Sequence, residues 1–289
     1  MQGQNVIFVN MDETSVKRCY DDNIGTIAGP QWRPAGSAPP TAGSSLGHRR
    51  MCITLAAFIS PESDVQQFLP QVLITSRRAM SPLVLRHVEI RRPARMFVWR
   101  EKKGWNTTTL MIRMVRLLAA CLAAARHDRP IVLCLDSAPM HVQPSVVRAA
   151  EDKNIWICLI PTRATFLFQP ADVSLFGPLK MWLQKHFVSL KCRGVNGTVS
   201  QEEWIKLLFG LHAFISRKDH SRSFEATGLE GDELSLSTNL RQHGVTSARV
   251  ALRPDEALCP SRPNIRASYN RGVADLYAVL FHPVMPELD

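Results

Sequence analysis

At 289 residues the chain suits one large domain, or one domain with an appendage. A hydrophobic fraction of 45% supports a sizeable core and excludes a wholly disordered polymer, while a net charge of +10 points toward polyanions, nucleic acid above all, and is silent on fold. The 7 cysteines are scattered without a CxxC or HxxxH pair, which argues against structural zinc and for small core residues in a reducing compartment.

The opening "MQGQNVIFVN" lacks the basic start of a secretory signal. The longest apolar run, 117–125, falls short of a membrane span and is bounded by Arg116 and Arg126. A soluble protein without membrane contact is expected. "NVIFVNMDET" (5–14) reads as a first strand running into Asp12. Residues 28–48, rich in Gly, Pro, Ala and Ser, predict a long loop. Strands follow at 49–60 and 71–76, at spacings that suit an antiparallel meander. The arginine-rich segment 77–105 yields no element.

A helix is predicted over 106–128, with Thr107 or Thr108 as cap. "IVLCLD" (131–136) is a buried strand that stops on an acid. A shorter helix spans 142–154, with Pro144 tolerated in its first turn, and a buried strand spans 155–161. The segment 172–190 carries apolar residues at helical spacing, and Pro178 inside it predicts a kink or a late start. A helix at 200–217 opens with a capping box of Ser200 and Glu203. The arginines beyond 241 lie among Pro, Ser and Asn. The expected organisation is a domain over 1–235 and a basic, poorly structured tail over 236–289. The fold class is α/β, a mixed five-stranded sheet flanked by helices.

Three aspartates occupy comparable places. Asp12 and Asp136 close strands, and Asp172 opens the helix after the last strand. Taken singly, each has a plain reading: a turn residue at a strand end, or a helix N-cap. With the two strands side by side and parallel, the acids meet at the sheet's carboxyl edge, where open α/β sheets bind ligands. Converging carboxylates repel, and a hard divalent cation relieves that. Two Mg²⁺ or Mn²⁺ ions on such a cluster activate water and stabilise the leaving oxygen in phosphodiester cleavage.

At these residues the sequence resembles the DDE-superfamily endonuclease domain of pogo and Tigger-like transposases, in the Tc1/mariner group. The motifs are "VNMDET" (9–14), "GWNTTTLMIRMVRLL" (104–118), "LCLDSAPMH" (133–141), "IPTRATFLFQPADVSLFGPLK" (160–180) and "SFEATGL" (223–229). The resemblance covers roughly residues 5–235. It implies an RNase H-like fold with Asp12, Asp136 and Asp172 as the catalytic, metal-binding triad for Mg²⁺ or Mn²⁺. The implied activity is nicking DNA at transposon ends and joining the freed 3′ end to a target, on DNA in the nucleus, with a homodimer left open. Lys180, His141 and Arg163 are candidate DNA contacts, although a histidine at a helix start also bonds the turn backbone. Gln169 is expected to orient the loop before Asp172, and Glu13 to be structural.

The family carries helix-turn-helix readers upstream, and residues 1–11 hold none, so a catalytic domain without its reader is expected. The three intact aspartates favour an enzyme. The missing reader favours the alternative, a domesticated or degenerate nucleic-acid-binding remnant without catalysis. A third reading, a nuclease on RNA-containing duplexes, is opposed by the transposase-type motifs.

Overall fold

The first strand, β1 (Ile7–Lys17), alternates Ile7, Val9 and Met11 with Phe8, Asn10 and Asp12, so its two faces meet different surroundings. The computed structural model describes residues 6–17, 52–77, 80–102, 104–160, 165–193, 199, 201–229 and 238–242. β1 lies inside a mixed sheet, with β2 (Cys52–Ile59), β3 (Gln71–Ser76), β4 (Met96–Glu101), β5 (Ile131–Asp136) and β6 (Ile155–Ile160) in the order β4-β3-β2-β1-β5-β6. β1, β2 and β3 form the expected antiparallel meander. On the other side of β1, β5 and β6 run parallel to it. Those five strands make the RNase H-like sheet expected.

The sheet has six strands rather than five. β4 adds parallel to β3 at the edge, reached through a short helix. The helices, numbered in chain order, are α1 (Ser63–Gln66), α2 (Pro82–Arg91), α3 (Thr108–Ala124), α4 (Pro144–Glu151), α5 (Thr165–Phe168), α6 (Phe176–Arg193), α7 (Gln201–Ser216), α8 (Ser221–Thr227) and α9 (Thr238–Gln242). α2 and β4 fill the segment left unassigned. α2 is capped by Ser81, whose Oγ accepts from Val84 N at 3.3 Å, and Pro82 suits its first turn.

Two apolar layers cover the sheet. On one face Ile7, Val9 and Met11 pack with Met111, Met114 and Leu118 of α3 and with Val146, Val147 and Ala150 of α4. On the other, Leu55, Ile59 and Leu73 pack with Leu175, Leu179 and Leu183, and with Leu208 and Leu211 of α7. Each such side chain contributes about 1.5–3 kcal/mol of burial. α6 and α7 approach closely at Gly210, where a Cβ would meet the Trp182 ring at 2.7 Å.

The predicted kink at Pro178 takes the form of a wide turn, Ala171–Leu175, wound with π-type bonds and leading directly into α6. Pro178 has no N–H for the Ser174 carbonyl. That carbonyl instead accepts from Lys218 Nζ at 2.9 Å. From the expected tail, residues 238–242 form a helical turn with Leu240 buried beside Cys134 and Cys158. The rest of that tail, the expected loop 28–48 and the capping residue Ser200 lie outside the described residues. No described helix is long and apolar enough to cross a membrane.

Candidate functional site

The parallel pairing of β1 with β5 runs from Ile7↔Ile131 to Asn10↔Cys134. Two residues further on each strand stand Asp12 and Asp136, on the same face as Asn10 and Cys134 because side chains alternate. Asp136 ends its strand, as expected. Asp12 does not: β1 continues to Lys17 against β2, and Asp12 stands where β5 has left it. The acid is therefore held by a continuous strand on one side and open on the other.

Asp172 comes from the wide turn. A side chain absent from the expectations fixes that turn. Asn10 is completely buried. Its Nδ2 donates to Cys134 O at 3.1 Å, and its Oδ1 accepts from Ala171 N at 3.0 Å. One amide thus joins β1, β5 and the residue before Asp172. Gln169, expected to do this orienting, does not: it is fully buried and neither amide atom finds a hydrogen-bond partner. A polar residue at an inward position of an apolar strand was the available signal for Asn10, since buried amides require partners.

The electrostatics place the three acids in one neighbourhood. Asp12 has its carboxyl pushed well above the usual carboxylate range, first by burial and then by the charge of Asp172, with a smaller push from Asp136. Its Oδ1 accepts from Glu13 N at 2.6 Å, which offsets part of this. Its Oδ2 is enclosed and has no hydrogen-bond partner. Asp172 itself is exposed.

Asp136 is handled differently. Burial would raise it, but His141 and the Ala138 N–H hold it below its ordinary value. Its Oδ1 lies 2.5 Å from His141 Nδ1 and 3.2 Å from Ala138 N. The Ser-Ala-Pro turn after the strand thus brings His141 back onto the acid that ends it. His141 Nε2 lies 3.6 Å from Glu13 Oε1, and Glu13 accepts from Asn106 Nδ2 at 2.5 Å. Burial alone would lower the imidazole, yet the two carboxylates take it to about 9. The histidine is 4% exposed and turned to the two carboxylates. Lys180 is exposed on α6, with its Nζ 5.9 Å from the Phe176 ring centre. Arg163 lies outside the described residues.

As they stand, no group of three or more His, Cys, Asp or Glu side chains among the described residues is arranged to hold a metal ion. The donor set nevertheless fits a hard cation. It is all carboxylate, it includes an enclosed oxygen without a partner, and mutual repulsion raises Asp12.

The family model described as DDE superfamily endonuclease matches residues 64–216, which include Asp136 and Asp172 but not Asp12. Solved structures similar to the chain include the Mos1 transposase paired-end complex with left transposon end, 14% identical, covering 76% of this chain and 54% of that one at a TM-score of 0.42. The Mos1 strand transfer complex is also 14% identical, covering 79% of this chain and 56% of that one at 0.41. The Mos1 mariner paired end complex with Mn is 14% identical, covering 76% and 54% at 0.41. The chain spans about half the length of these structures. No curated protein matches the chain.

Proposed function

Since the chain belongs to the DDE superfamily endonuclease family, we propose that it is the catalytic domain of a transposase. On this reading it cuts DNA at transposon ends and joins the freed 3′ ends to target DNA, working in the nucleus with Mg²⁺ or Mn²⁺. The observation that carries the reading is the enclosed, unpartnered Oδ2 of Asp12, set where the register of β1 and β5 brings Asp136 alongside. Asp12 lies outside the matched region; the pairing of β1 with β5 relates its strand to that of Asp136, and Asn10 ties β1 to the turn that bears Asp172.

Asp12, Asp136 and Asp172 would hold the ions. Bound there, a divalent cation supplies the Lewis acidity that phosphodiester displacement needs. The chain's own residues set the stage for it. The Ala138 N–H and His141 both engage Oδ1 of Asp136, which fixes the carboxylate and leaves Oδ2 unclaimed by either. Glu13 faces Nε2 of His141 and is itself held by Asn106. Asn10 sets the position of the turn bearing Asp172. The +10 net charge favours approach of a polyanion to this acidic edge.

The test is nicking of a labelled duplex with Mn²⁺ or Mg²⁺, wild type beside Asp136→Asn. Metal-dependent nicking that the substitution abolishes is expected. No nicking by the wild type, with equal salt-sensitive DNA binding by both proteins, would replace this reading with that of a non-catalytic binding remnant.

A further inference from the structure

Trp105 is 71% exposed, whereas Trp99 and Trp204 are 7% and 4% exposed. Its neighbours on both sides are buried. Gly104 sits at φ +75°, and a Cβ there would lie 3.0 Å from Ser76 N. Its carbonyl accepts from Thr54 Oγ1 at 2.9 Å. On the other side Asn106 is 6% exposed and bonds Glu13. Its Oδ1 also accepts from Thr107 N at 2.9 Å, and Thr107 Oγ1 in turn accepts from Leu110 N at 3.3 Å to start α3. One tryptophan is thus displayed in water from a backbone anchored to β1, β2, β3 and α3. Leaving an indole exposed forfeits burial that the fold gives Trp99 and Trp204. Anchoring it so firmly suits an occupant that arrives from outside.

The location names the occupant. Asn106 bonds Glu13, whose Oε1 lies 3.6 Å from His141 Nε2, and His141 holds Asp136, so the residue before Asn106 is carried at the rim of the carboxylate network. Three positions before it in the chain, Lys102 is exposed. An aromatic face beside basic residues stacks bases whatever their identity, while the cations serve the backbone. Paired bases inside a duplex hide their faces, so the face wanted is that of an unpaired or end base.

Resting on the reading of the site as DNA-cutting, we infer that Trp105 is a stacking platform for an unpaired nucleobase of the substrate beside the scissile phosphate. The platform needs no metal, so it is tested without one. Binding of a 2-aminopurine-labelled single strand, and of a duplex with unpaired end bases, is measured in EDTA against a fully paired, hairpin-closed duplex. Trp105→Ala weakens the first two roughly tenfold. It leaves the closed duplex within about twofold, because phosphate contacts carry that binding. Trp105→Phe retains most of the affinity and the quenching of 2-aminopurine. Equal affinity of wild type and Trp105→Ala for the unpaired probes would overturn the inference, as would an equal loss on all three. Wild type that binds none of the probes would overturn both this inference and the nucleic-acid reading. Absence of metal-dependent nicking, with the unpaired probes still bound through Trp105, would overturn the cutting reading and leave the stacking platform in place.

Discussion

His141 sits between two carboxylates at the edge of β1 and β5, and His220 sits where α7 gives way to α8. Both are buried, at 4% and 0% exposure. His141 is taken up to about 9, and His220 is taken down to about 4. Burial pushes both imidazoles down. The partners decide the outcome. His141 has Asp136 and Glu13, which reverse the effect of burial. His220 has a backbone carbonyl, Ile215 O at 3.0 Å, which opposes burial only in part, and the charge of Lys218, which adds to burial. The helical layer therefore keeps its histidine as a neutral packing residue, and the carboxylate edge keeps its own as a fixed cation among acids. The contrast locates the part of the molecule where charge has been concentrated rather than avoided.

The largest effect comes from removing an acid that the edge holds at a cost. Asp12→Asn deletes a carboxylate strained by burial and by the like charges of Asp172, Asp136 and Glu13. In metal-free buffer the variant is more stable than wild type, by roughly 1–2 kcal/mol. Nicking falls about a hundredfold or more, because a cation ligand is gone. Adding Mg²⁺ raises the melting temperature of the wild type and leaves the variant unmoved. Thermal melts with and without Mg²⁺ read both. A variant less stable than wild type without metal would mean that Asp12 is an ordinary paired acid.

Next come the two limbs of the pH profile of the metal-free protein. The folded-state value of His141 is raised above its ordinary value. Its contribution is complete below about pH 6.5 and is lost as pH climbs through about 9. The folded-state value of His220 is depressed. Its contribution is complete above about pH 6.5 and is lost as pH falls through about 4. Each displacement corresponds to roughly 3 kcal/mol. His141→Asn flattens the alkaline limb of a denaturation series and His220→Asn the acid limb. An unchanged alkaline limb in His141→Asn would sink the carboxylate-bridge account.

The same contrast separates what the sequence discloses from what it conceals. The carboxylate edge is legible because apolar runs meet an acid there, although only Asp136 ends its strand and Asp12 stands inside one that continues to Lys17. β5, which carries Asp136, and its neighbour β6 read clearly, since both are continuous apolar runs. What fixes the edge is less visible. Asn10 works through Ala171, 161 positions away in the chain, and no local pattern announces such a bond. α2 and β4 stay hidden for a different reason. Leu83 and Ile90 of α2 are 80% and 76% exposed, so its apolar residues do not mark a buried face. β4 joins only at the sheet's edge and carries Arg100 and Glu101 at its end. Pro178 signals a departure from regular helix, but the acceptor it frees is answered by Lys218, from the link between α7 and α8.

That pairing supplies the smallest of these effects and a test internal to the helical layer. Lys218 donates to the carbonyl that Pro178 cannot serve, and burial lowers its own pKa. Lys218→Met keeps the aliphatic stem and removes the donor, at a cost of about 1 kcal/mol. It also removes the charge that adds to burial in depressing His220. The imidazole then titrates above about 4, yet stays below its ordinary value, because burial is the larger cause. Following the imidazole by NMR across pH gives both readings in one series. If His220 in Lys218→Met rose to the ordinary histidine value or beyond, the charge of Lys218 and not burial would set it. The two histidines would then differ only in the sign of the neighbouring charge.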